Sequence, residues 1–281
     1  MMSSSTIDSA LYMGQKLLRP ITNNYKNEVL WIMQDVLNKD TTYISLNKSS
    51  LLESDKYDLF FNLIKRRKNK EPLQHILNSV SFYGYDFNIK QNVFIPRPET
   101  ESLIDIIKNN INYPNSVLEV GTGSGCIPIV LELEKISHQI KSLDINYDAV
   151  DLAQHNAKKF HCKHIQFLHQ NFFHFKSNEK YDLIISNPPY IGLNELPELD
   201  KEVTLYDPLN ALTDYDNGLI FYQYFAEFGI KHLNPQGYML LEFGGRHQIN
   251  DLKNIFHHPN YTYSFFDDLN SETRFILIQK I

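Results

Sequence analysis

The amino-acid sequence predicts an α/β protein in which a domain built around a mostly parallel sheet follows a small helical domain. Before about residue 75 the apolar residues recur at helical spacing, whereas after Pro98 short apolar runs alternate with helical segments. The second pattern is typical of βα units around a parallel sheet. Because 281 residues suffice for two ordinary domains, we expect a helical domain over residues 1–78, a connecting β-hairpin over 79–96 and an α/β domain over 97–281.

Apolar faces indicate the helices of the first domain. Val29, Met33 and Val36 share one helix face, and a later helix has its apolar face at Tyr57, Phe60, Phe61 and Ile64. The stretch Ser5-Thr6-Ile7-Asp8 has the form of a capping box that starts the first helix. The basic run at residues 65–70 closes the last helix, where positive charge complements the helix dipole; a nucleic-acid contact is the alternative.

The strands are predicted from short apolar and aromatic runs. Aromatic and β-branched residues around Gly84, between Val80 and Phe94, indicate a β-hairpin. Six further runs indicate strands of the sheet, at residues 116–120, 140–144, 165–168, 181–186, 237–242 and 273–278. The aromatic cluster Phe221, Tyr222, Tyr224 and Phe225 reads as core rather than as a stacking platform.

Composition and charge narrow the function classes. With 27 basic and 33 acidic residues the net charge is −6, so we expect no stable nucleic-acid binding. Two cysteines and unpaired histidine spacing predict no metal site and a reducing compartment. Residues Met1–Ser5 lack a basic stretch leading into an apolar core, and no apolar run reaches the roughly 20 residues of a membrane span. We therefore expect a cytoplasmic protein without membrane contact.

A glycine-rich segment follows the first strand of the sheet and opens a helix. It reads Glu119-Val120-Gly121-Thr122-Gly123-Ser124-Gly125, and its glycines permit a tight turn and close approach of backbone amides to a ligand. Asp144 ends the next strand, about 20 residues beyond Gly125, where a carboxylate can accept hydrogen bonds from ribose hydroxyls. The alternatives are helix packing for the glycines and a helix cap for Asp144. A nucleotide-like cofactor fits both features.

The loop Asn187-Pro188-Pro189-Tyr190 separates a methyltransferase from a dinucleotide-binding dehydrogenase. It follows a buried strand at the carboxyl edge of the predicted sheet, and its prolines leave carbonyl oxygens without matching N–H donors. The Asn187 side-chain oxygen and the Pro188 carbonyl can accept the two N–H groups of a planar amide or amino group, against which Tyr190 packs. The sequence thus predicts transfer of a methyl group from S-adenosylmethionine to such a nitrogen.

With these motifs the chain resembles, over nearly its whole length, the protein-(glutamine-N5) methyltransferases that modify peptide chain release factors. The segment Ile95-Pro96-Arg97-Pro98-Glu99-Thr100-Glu101 best separates this family from nucleobase methyltransferases, which generally lack it. Further matching positions are residues 71–76, 82–84, 207–208, 211–212, 241–244 and 274. The resemblance implies a Rossmann-like class I S-adenosylmethionine-dependent methyltransferase domain with a seven-stranded sheet, acting as a monomer. Its acceptor would be the glutamine of the Gly-Gly-Gln motif in class I release factors, docked by the helical domain.

The family's functional positions carry over residue by residue. Cofactor contacts are implied for Glu119, for Gly121 to Gly125, for Asp144, for Asn171, for Phe172 beside the adenine, and for Asn187. Asn171-Phe172 stands where the family often has Asp-Trp, and Asn78 and Asp207 replace the commoner Gly and Glu. Arg97 and Glu99 either shape the acceptor pocket or form an interdomain ion pair.

Two other functions remain open at this point. One is a nucleobase N-methyltransferase acting on RNA or DNA, which requires a basic surface. The other is a catalytically silent cofactor-binding subunit, since fold alone does not establish activity. The intact Asn187 and the unbroken glycine-rich loop favour an enzyme.

Overall fold

The computed structural model describes residues 5–281, which fall into two compact units with the boundary between Asn78 and Ser79. Residues 1–4, which carry most of the N-terminal segment considered for export, lie outside the described part. Within residues 5–281 no helix is long and apolar enough to cross a membrane.

The first unit consists of short helices around one apolar core. Its helices are α1 Ile7–Leu18, α2 Tyr25–Leu37, α3 Thr41–Leu46, α4 Ser54–Lys68 and α5 Leu73–Leu77. The predicted face of α2 is confirmed, since Val29, Met33 and Val36 are buried. The predicted capping box is displaced by one residue: Thr6 rather than Ser5 caps α1, and its Oγ1 accepts a hydrogen bond from the Ser9 amide at 3.2 Å.

The basic run at the end of α4 supplies ion pairs inside the first unit. Arg67 is buried and its Nε lies 2.6 Å from Glu28 Oε2 on α2. Arg66 donates two hydrogen bonds to the Glu71 carboxylate, at 2.8 and 2.6 Å, and this contact holds the pKa of Glu71 below its usual range. The run therefore has structural partners for both arginines, which favours the helix-closing interpretation.

The second unit begins with the hairpin. Strands β1 Ser79–Phe82 and β2 Tyr85–Asn88 pair in antiparallel register across a turn at Tyr83 and Gly84, both with positive φ. This confirms the predicted hairpin. Its buried rings Phe82 and Phe87 pack into the apolar core of the second unit.

A sheet of seven strands within residues 5–281 forms the centre of the second unit. Its strands are β3 Val117–Val120, β4 Ile140–Asp144, β5 Ile165–His169, β6 Tyr181–Ser186, β7 Leu233–Glu242, β8 Tyr261–Asp267 and β9 Thr273–Lys280. They lie in the order β5-β4-β3-β6-β7-β9-β8, parallel from β5 to β7, with β9 antiparallel to both β7 and β8. The predicted runs match six of these strands. The seventh, β8, is not among them, because its aromatic residues alternate with polar ones and most of its residues are only partly buried or exposed.

Helices cover both faces of this sheet. They are α6 Ser102–Asn110, α7 Cys126–Leu133, α8 Tyr147–Lys159, α9 Lys201–Tyr206, α10 Leu209–Leu212, α11 Ile220–His232 and α12 Ile249–Ile255. Successive residues of β6 serve opposite cores: Leu183 and Ile185 pack on the side of α6 and α7, whereas Ile184 packs on the side of α11. Because burying each such side chain contributes about 1.5–3 kcal/mol, the register of β6 and the start of the loop after it are strongly specified.

Candidate active site

The site lies where the order of the strands reverses. The chain runs from β3 outward to β4 and β5, and then returns to place β6 on the other side of β3. Val120 pairs with Leu143 on one side and with Ser186 on the other, so the carboxyl ends of β3, β4 and β6 are level. A crevice at such a switch point is where open α/β sheets bind ligands. Here it is a cavity of about 230 Å³ lined by residues of the second unit.

The glycine-rich turn forms one wall of the cavity. Gly121 and Gly123 have φ of +83° and +53°, values that side-chain-bearing residues rarely adopt, and both line the cavity with Thr122 and Ser124. Gly125 does not line it. A Cβ at Gly125 would lie 2.9 Å from Ala153 Cβ, so this glycine allows α7 to pack closely against α8. Gly121 and Gly123 therefore fit the cofactor-binding interpretation of this turn, whereas Gly125 fits the helix-packing interpretation.

Glu119 lies behind this wall rather than on it. The side chain is fully buried, and its Oε2 accepts hydrogen bonds from Thr122 Oγ1 at 2.9 Å and from Ser142 Oγ. Within the described residues its Oε1 is buried without a hydrogen-bond partner. Burial raises the pKa of Glu119 to about 8. Its contact with the cavity is indirect, through Thr122.

Asp144 reaches the cavity from the end of β4 and also supports the turn. Its Oδ2 accepts a hydrogen bond from the Gly123 amide at 2.9 Å, and its Oδ1 accepts one from the Asn146 amide at 2.8 Å. Burial raises the pKa of Asp144. The helix cap is not Asp144 but Asn146, whose Oδ1 accepts from the Asp148 amide at the start of α8.

Part of the cavity lining is aromatic. Asn171 and Phe172 both line it; the Asn171 Oδ1 accepts from the Phe173 amide at 2.9 Å, and the Phe172 ring centroid lies 4.6 Å from that of Phe225. The Phe172 side chain is almost wholly buried in the core beneath α11. Of the four aromatic residues predicted as core, Phe221 also borders the cavity.

The loop after β6 also lines the cavity. Asn187, Pro188 and Pro189 line it, and Asn187 Nδ2 donates to Thr100 Oγ1 at 3.2 Å. Tyr190 is not among the lining residues. Its carbonyl accepts from Gln248 Nε2 at 2.9 Å, where the chain leaves the cavity toward a short parallel bridge between Ile191 and Thr213.

Two segments outside the predicted site complete the lining. One contributes Phe94, Pro96 and Thr100, and the other contributes Pro208, Asn210, Ala211, Thr213, Asp214 and Tyr215. Neither segment contains a sequence motif that by itself indicates ligand binding. The motif similarity at residues 95–101, 207–208 and 211–212 is the signal that pointed to these segments.

An ion pair joins the two segments. Arg97 Nη2 lies 2.5 Å from the Asp207 carboxylate, and the Arg97 guanidinium lies 4.9 Å from the centroid of the Phe94 ring. The interdomain alternative for Arg97 is wrong, because both partners belong to the second unit. Glu99 does not share this pair; its Oε1 accepts from Asn270 Nδ2 at 3.3 Å.

The lining fits an adenosyl ligand with a charged amino-acid tail. Asp144, Ile145 and Phe172 line the cavity; a carboxylate can accept hydrogen bonds from ribose hydroxyls, and the other two side chains are apolar. At Gly123 a Cβ would meet nothing within 4 Å, so the wall is bare backbone there and a ligand can approach it closely. The sheet order, the glycine turn after β3 and the carboxylate after β4 define a Rossmann-like class I S-adenosylmethionine-dependent methyltransferase domain.

Comparisons with known proteins agree with this class. Residues 96–198 match the family model described as Methyltransferase small domain, and residues 9–77 match the PrmC N-terminal domain. The release factor glutamine methyltransferase of Fusobacterium nucleatum is 35% identical over 89% of this chain and 72% of its own length. The release factor glutamine methyltransferase of Geobacter sulfurreducens is 32% identical over 79% of this chain and 78% of its own length. The chain belongs to the release factor glutamine methyltransferase family.

Other relatives are longer or more distant. The bifunctional methyltransferase of Rickettsia bellii is 34% identical over 92% of this chain, which spans about half (52%) of that protein. Among solved structures, a methyltransferase from Pyrococcus furiosus superposes with a TM-score of 0.55 at 14% identity, covering 81% of this chain and 99% of that one. The last likeness concerns the fold alone.

Proposed function

We propose that this protein transfers a methyl group from S-adenosylmethionine to the side-chain amide nitrogen (N5) of the glutamine in the Gly-Gly-Gln motif of class I peptide chain release factors. The observation that carries the proposal is the Asn187 side chain, held by Thr100 at the wall of a cavity that also presents the glycine turn and Asp144. Membership of the release factor glutamine methyltransferase family supports the choice of acceptor.

The cofactor would supply the chemistry as an activated methyl group on a sulfonium. In this assignment Gly121, Thr122, Gly123 and Ser124 bind its amino-acid part, Asp144 binds the ribose, and Asn171 and Phe172 border the base. Glu119 and Gly125 act from behind, by holding Thr122 and by packing α7 on α8. The arrangement makes binding and orientation the protein's main contributions to rate.

The acceptor amide is a poor nucleophile because its nitrogen lone pair is delocalised. A useful site therefore accepts hydrogen bonds from the NH2 group and aims the nitrogen at the methyl donor. Asn187 Oδ1 and the Pro188 carbonyl are the proposed acceptors, and the prolines at 188 and 189 remove backbone donors that would compete there. Tyr190 supports this loop from outside the cavity, where its carbonyl accepts from Gln248.

The helical unit, residues 1–78, would dock the release factor, while residues 79–96, which begin with the hairpin, lead into the methyltransferase part of the second unit at 97–281. We propose a cytoplasmic monomer, acting on protein rather than on nucleic acid. The net charge of −6 and the ion pairs of Arg66 and Arg67 support the choice of a protein acceptor, because both weaken the attraction for a phosphate backbone.

The test is transfer of labelled methyl from S-adenosylmethionine to a purified, unmodified release factor. A variant of that factor with Ala in place of the motif glutamine and bulk unmodified RNA serve as parallel acceptors. Label on the unaltered factor alone supports the proposal. Label on RNA would replace it with a nucleobase methyltransferase, and cofactor binding without any transfer would indicate a silent subunit.

A further inference from the structure

The orientation of the Asn187 amide decides whether the cavity attracts or repels an acceptor NH2 group. The Oδ1 end of this side chain accepts hydrogen bonds, whereas the Nδ2 end only donates them. A methyl acceptor with N–H groups therefore requires Oδ1 on the side of the cavity. The two orientations have the same shape, so packing alone does not choose between them.

Thr100 is the first residue that bears on this choice. It lies in the 3₁₀ turn Pro98–Glu101, is 2% exposed, and its Oγ1 accepts from Asn187 Nδ2 at 3.2 Å. A hydroxyl can donate as well as accept, so Thr100 alone would tolerate a reversed amide. A hydrogen-bond acceptor other than Asn187 must therefore bind the Thr100 hydroxyl proton.

Glu242 is the group that can take this proton. It ends β7, next to β6, and the pairing of Ser186 with Leu241 places Glu242 level with Asn187. Its side chain is 2% exposed, and among the described residues its Oε2 is buried without a hydrogen-bond partner, so it is an acceptor in need of a donor close to Thr100 and Asn187. An ionised carboxylate accepts only, so it can take the Thr100 hydroxyl proton and leave Thr100 a lone pair for Asn187 Nδ2.

We propose that Thr100 and Glu242 are positioning residues that orient the Asn187 amide, so that its Oδ1 faces the acceptor nitrogen. Neither residue needs to touch the reacting atoms. The assignment rests on the proposed function, because it concerns how Asn187 serves methyl transfer to an N–H-bearing group. It extends the site to a residue of β7 that does not line the cavity.

The charges around Glu242 make the arrangement dependent on pH. Arg274 on β9 favours the ionised carboxyl and Glu99 opposes it, while Tyr190 and Tyr222 lie close by. Burial raises the pKa of Glu242 to about 7. Once protonated, Glu242 can donate a hydrogen bond to Thr100 Oγ1. The Thr100 hydroxyl is then free to turn and donate to Asn187. The rate of transfer should therefore rise with pH through about 7.

The kinetic test uses Thr100→Val, Thr100→Ser and Glu242→Gln, measured by single-turnover methyl transfer at saturating cofactor. Thr100→Val keeps the shape but loses the hydroxyl, and we expect a rate constant lower by about 10²-fold, as for a misaligned reacting group. Thr100→Ser should restore most of the rate. Glu242→Gln should lower the rate and abolish its rise with pH. Affinity for S-adenosylhomocysteine, measured by calorimetry, should change less than about threefold.

A second measurement works without any acceptor. The side-chain NH2 protons of Asn187, assigned by comparison with Asn187→Asp in the cofactor-bound protein, should exchange with solvent faster in Thr100→Val than in Thr100→Ser. Equal rates of transfer in Thr100→Val and Thr100→Ser, or equal exchange in both, would overturn the role of Thr100. An unchanged pH profile in Glu242→Gln would overturn the role of Glu242. If the unaltered enzyme methylates no release factor, the proposed function fails and the exchange measurement still decides this inference.

Discussion

Arg97 and Asp207 form an ion pair across 110 positions of the sequence, with Arg97 Nη2 2.5 Å from Asp207 Oδ2. The Asp207 side chain is only 2% exposed, whereas that of Arg97 is 34% exposed. The pair fastens the segment that supplies Pro96 to the one that supplies Pro208, and both prolines line the cavity. Its loss should therefore affect folding and acceptor binding together.

The first prediction concerns this pair. Arg97→Met should lower the free energy of unfolding by about 3 kcal/mol, since it leaves a buried carboxylate without its partner. Urea unfolding measures the change. Lys141→Met is the matched control, because its partner Glu179 is mostly exposed and such pairs contribute about 1 kcal/mol or less. Equal losses in the two variants would contradict a buried role for Asp207.

The second prediction separates acceptor from cofactor functions. Asn187→Ala should abolish methyl transfer while reducing affinity for S-adenosylhomocysteine much less. Asp144→Ala should weaken that affinity by about 10- to 100-fold, the effect of losing a charged hydrogen-bond acceptor, and should recover part of its rate at high cofactor concentration. Calorimetry and single-turnover assays measure the two effects. The same pattern in both variants would refute the separate roles.

The third prediction distinguishes backbone strain from steric clash at the glycine turn. Gly125 and Gly84 have nearly the same φ, +80° and +79°, but a Cβ at Gly84 would meet nothing within 4 Å. Gly84→Ala should therefore cost about 1–2 kcal/mol of stability from strain alone. Gly125→Ala should cost a further 1–3 kcal/mol or so from the contact with Ala153, and Ala153→Gly should recover part of that difference in thermal unfolding. Similar losses at both sites would show that packing is not the reason for glycine at 125.

The fourth prediction follows from the buried carboxyl of Glu119. Its pKa in the folded protein is raised from 4.5 to about 8, so the proton binds more tightly in the folded than in the unfolded chain. The stability from this group is complete below about pH 4.5 and is lost as the pH rises through about 8. Glu119→Gln keeps an oxygen that accepts from Thr122 and Ser142 but does not ionise. Its melting temperature should exceed that of the unaltered protein more at pH 8.5 than at pH 6, by several degrees.

Thermal scans at the two pH values measure this difference, with Glu242→Gln as a parallel variant. Burial raises the pKa of Glu242 to about 7, so the stability from this group is also lost as the pH rises, over a narrower pH range than for Glu119. Glu134→Gln is the control with the opposite pH dependence: the contact with Lys108 lowers the pKa of Glu134, so the stability from this group is lost as the pH falls. A pH-independent difference for Glu119→Gln would mean that Glu119 stays ionised in the folded protein.

The inner strands and the loops that follow them could be predicted because their signals are local. Val117–Val120 and Tyr181–Ser186 are mostly apolar and almost wholly buried, and each is followed at once by a segment with distinctive backbone chemistry. Parallel strands then carry their following loops to one edge of the sheet, which brought Gly121, Asp144 and Asn187 together as expected. By contrast β8, at the edge of the sheet, alternates partly exposed aromatic and polar residues, and its pairing with β9 depends on a partner rather than on its own sequence.

What the sequence determined by itself was the class of fold, the three loops at the strand ends and the family. What only the tertiary structure decided was which residues support those loops from a distance. Asn187 meets Thr100 from 87 positions away, Arg97 meets Asp207, and Glu119 lies behind the cavity wall rather than in it. The physical reason is that periodicity and turn chemistry act within a few residues. Contacts between distant segments depend instead on strand order and on how helices pack over the sheet.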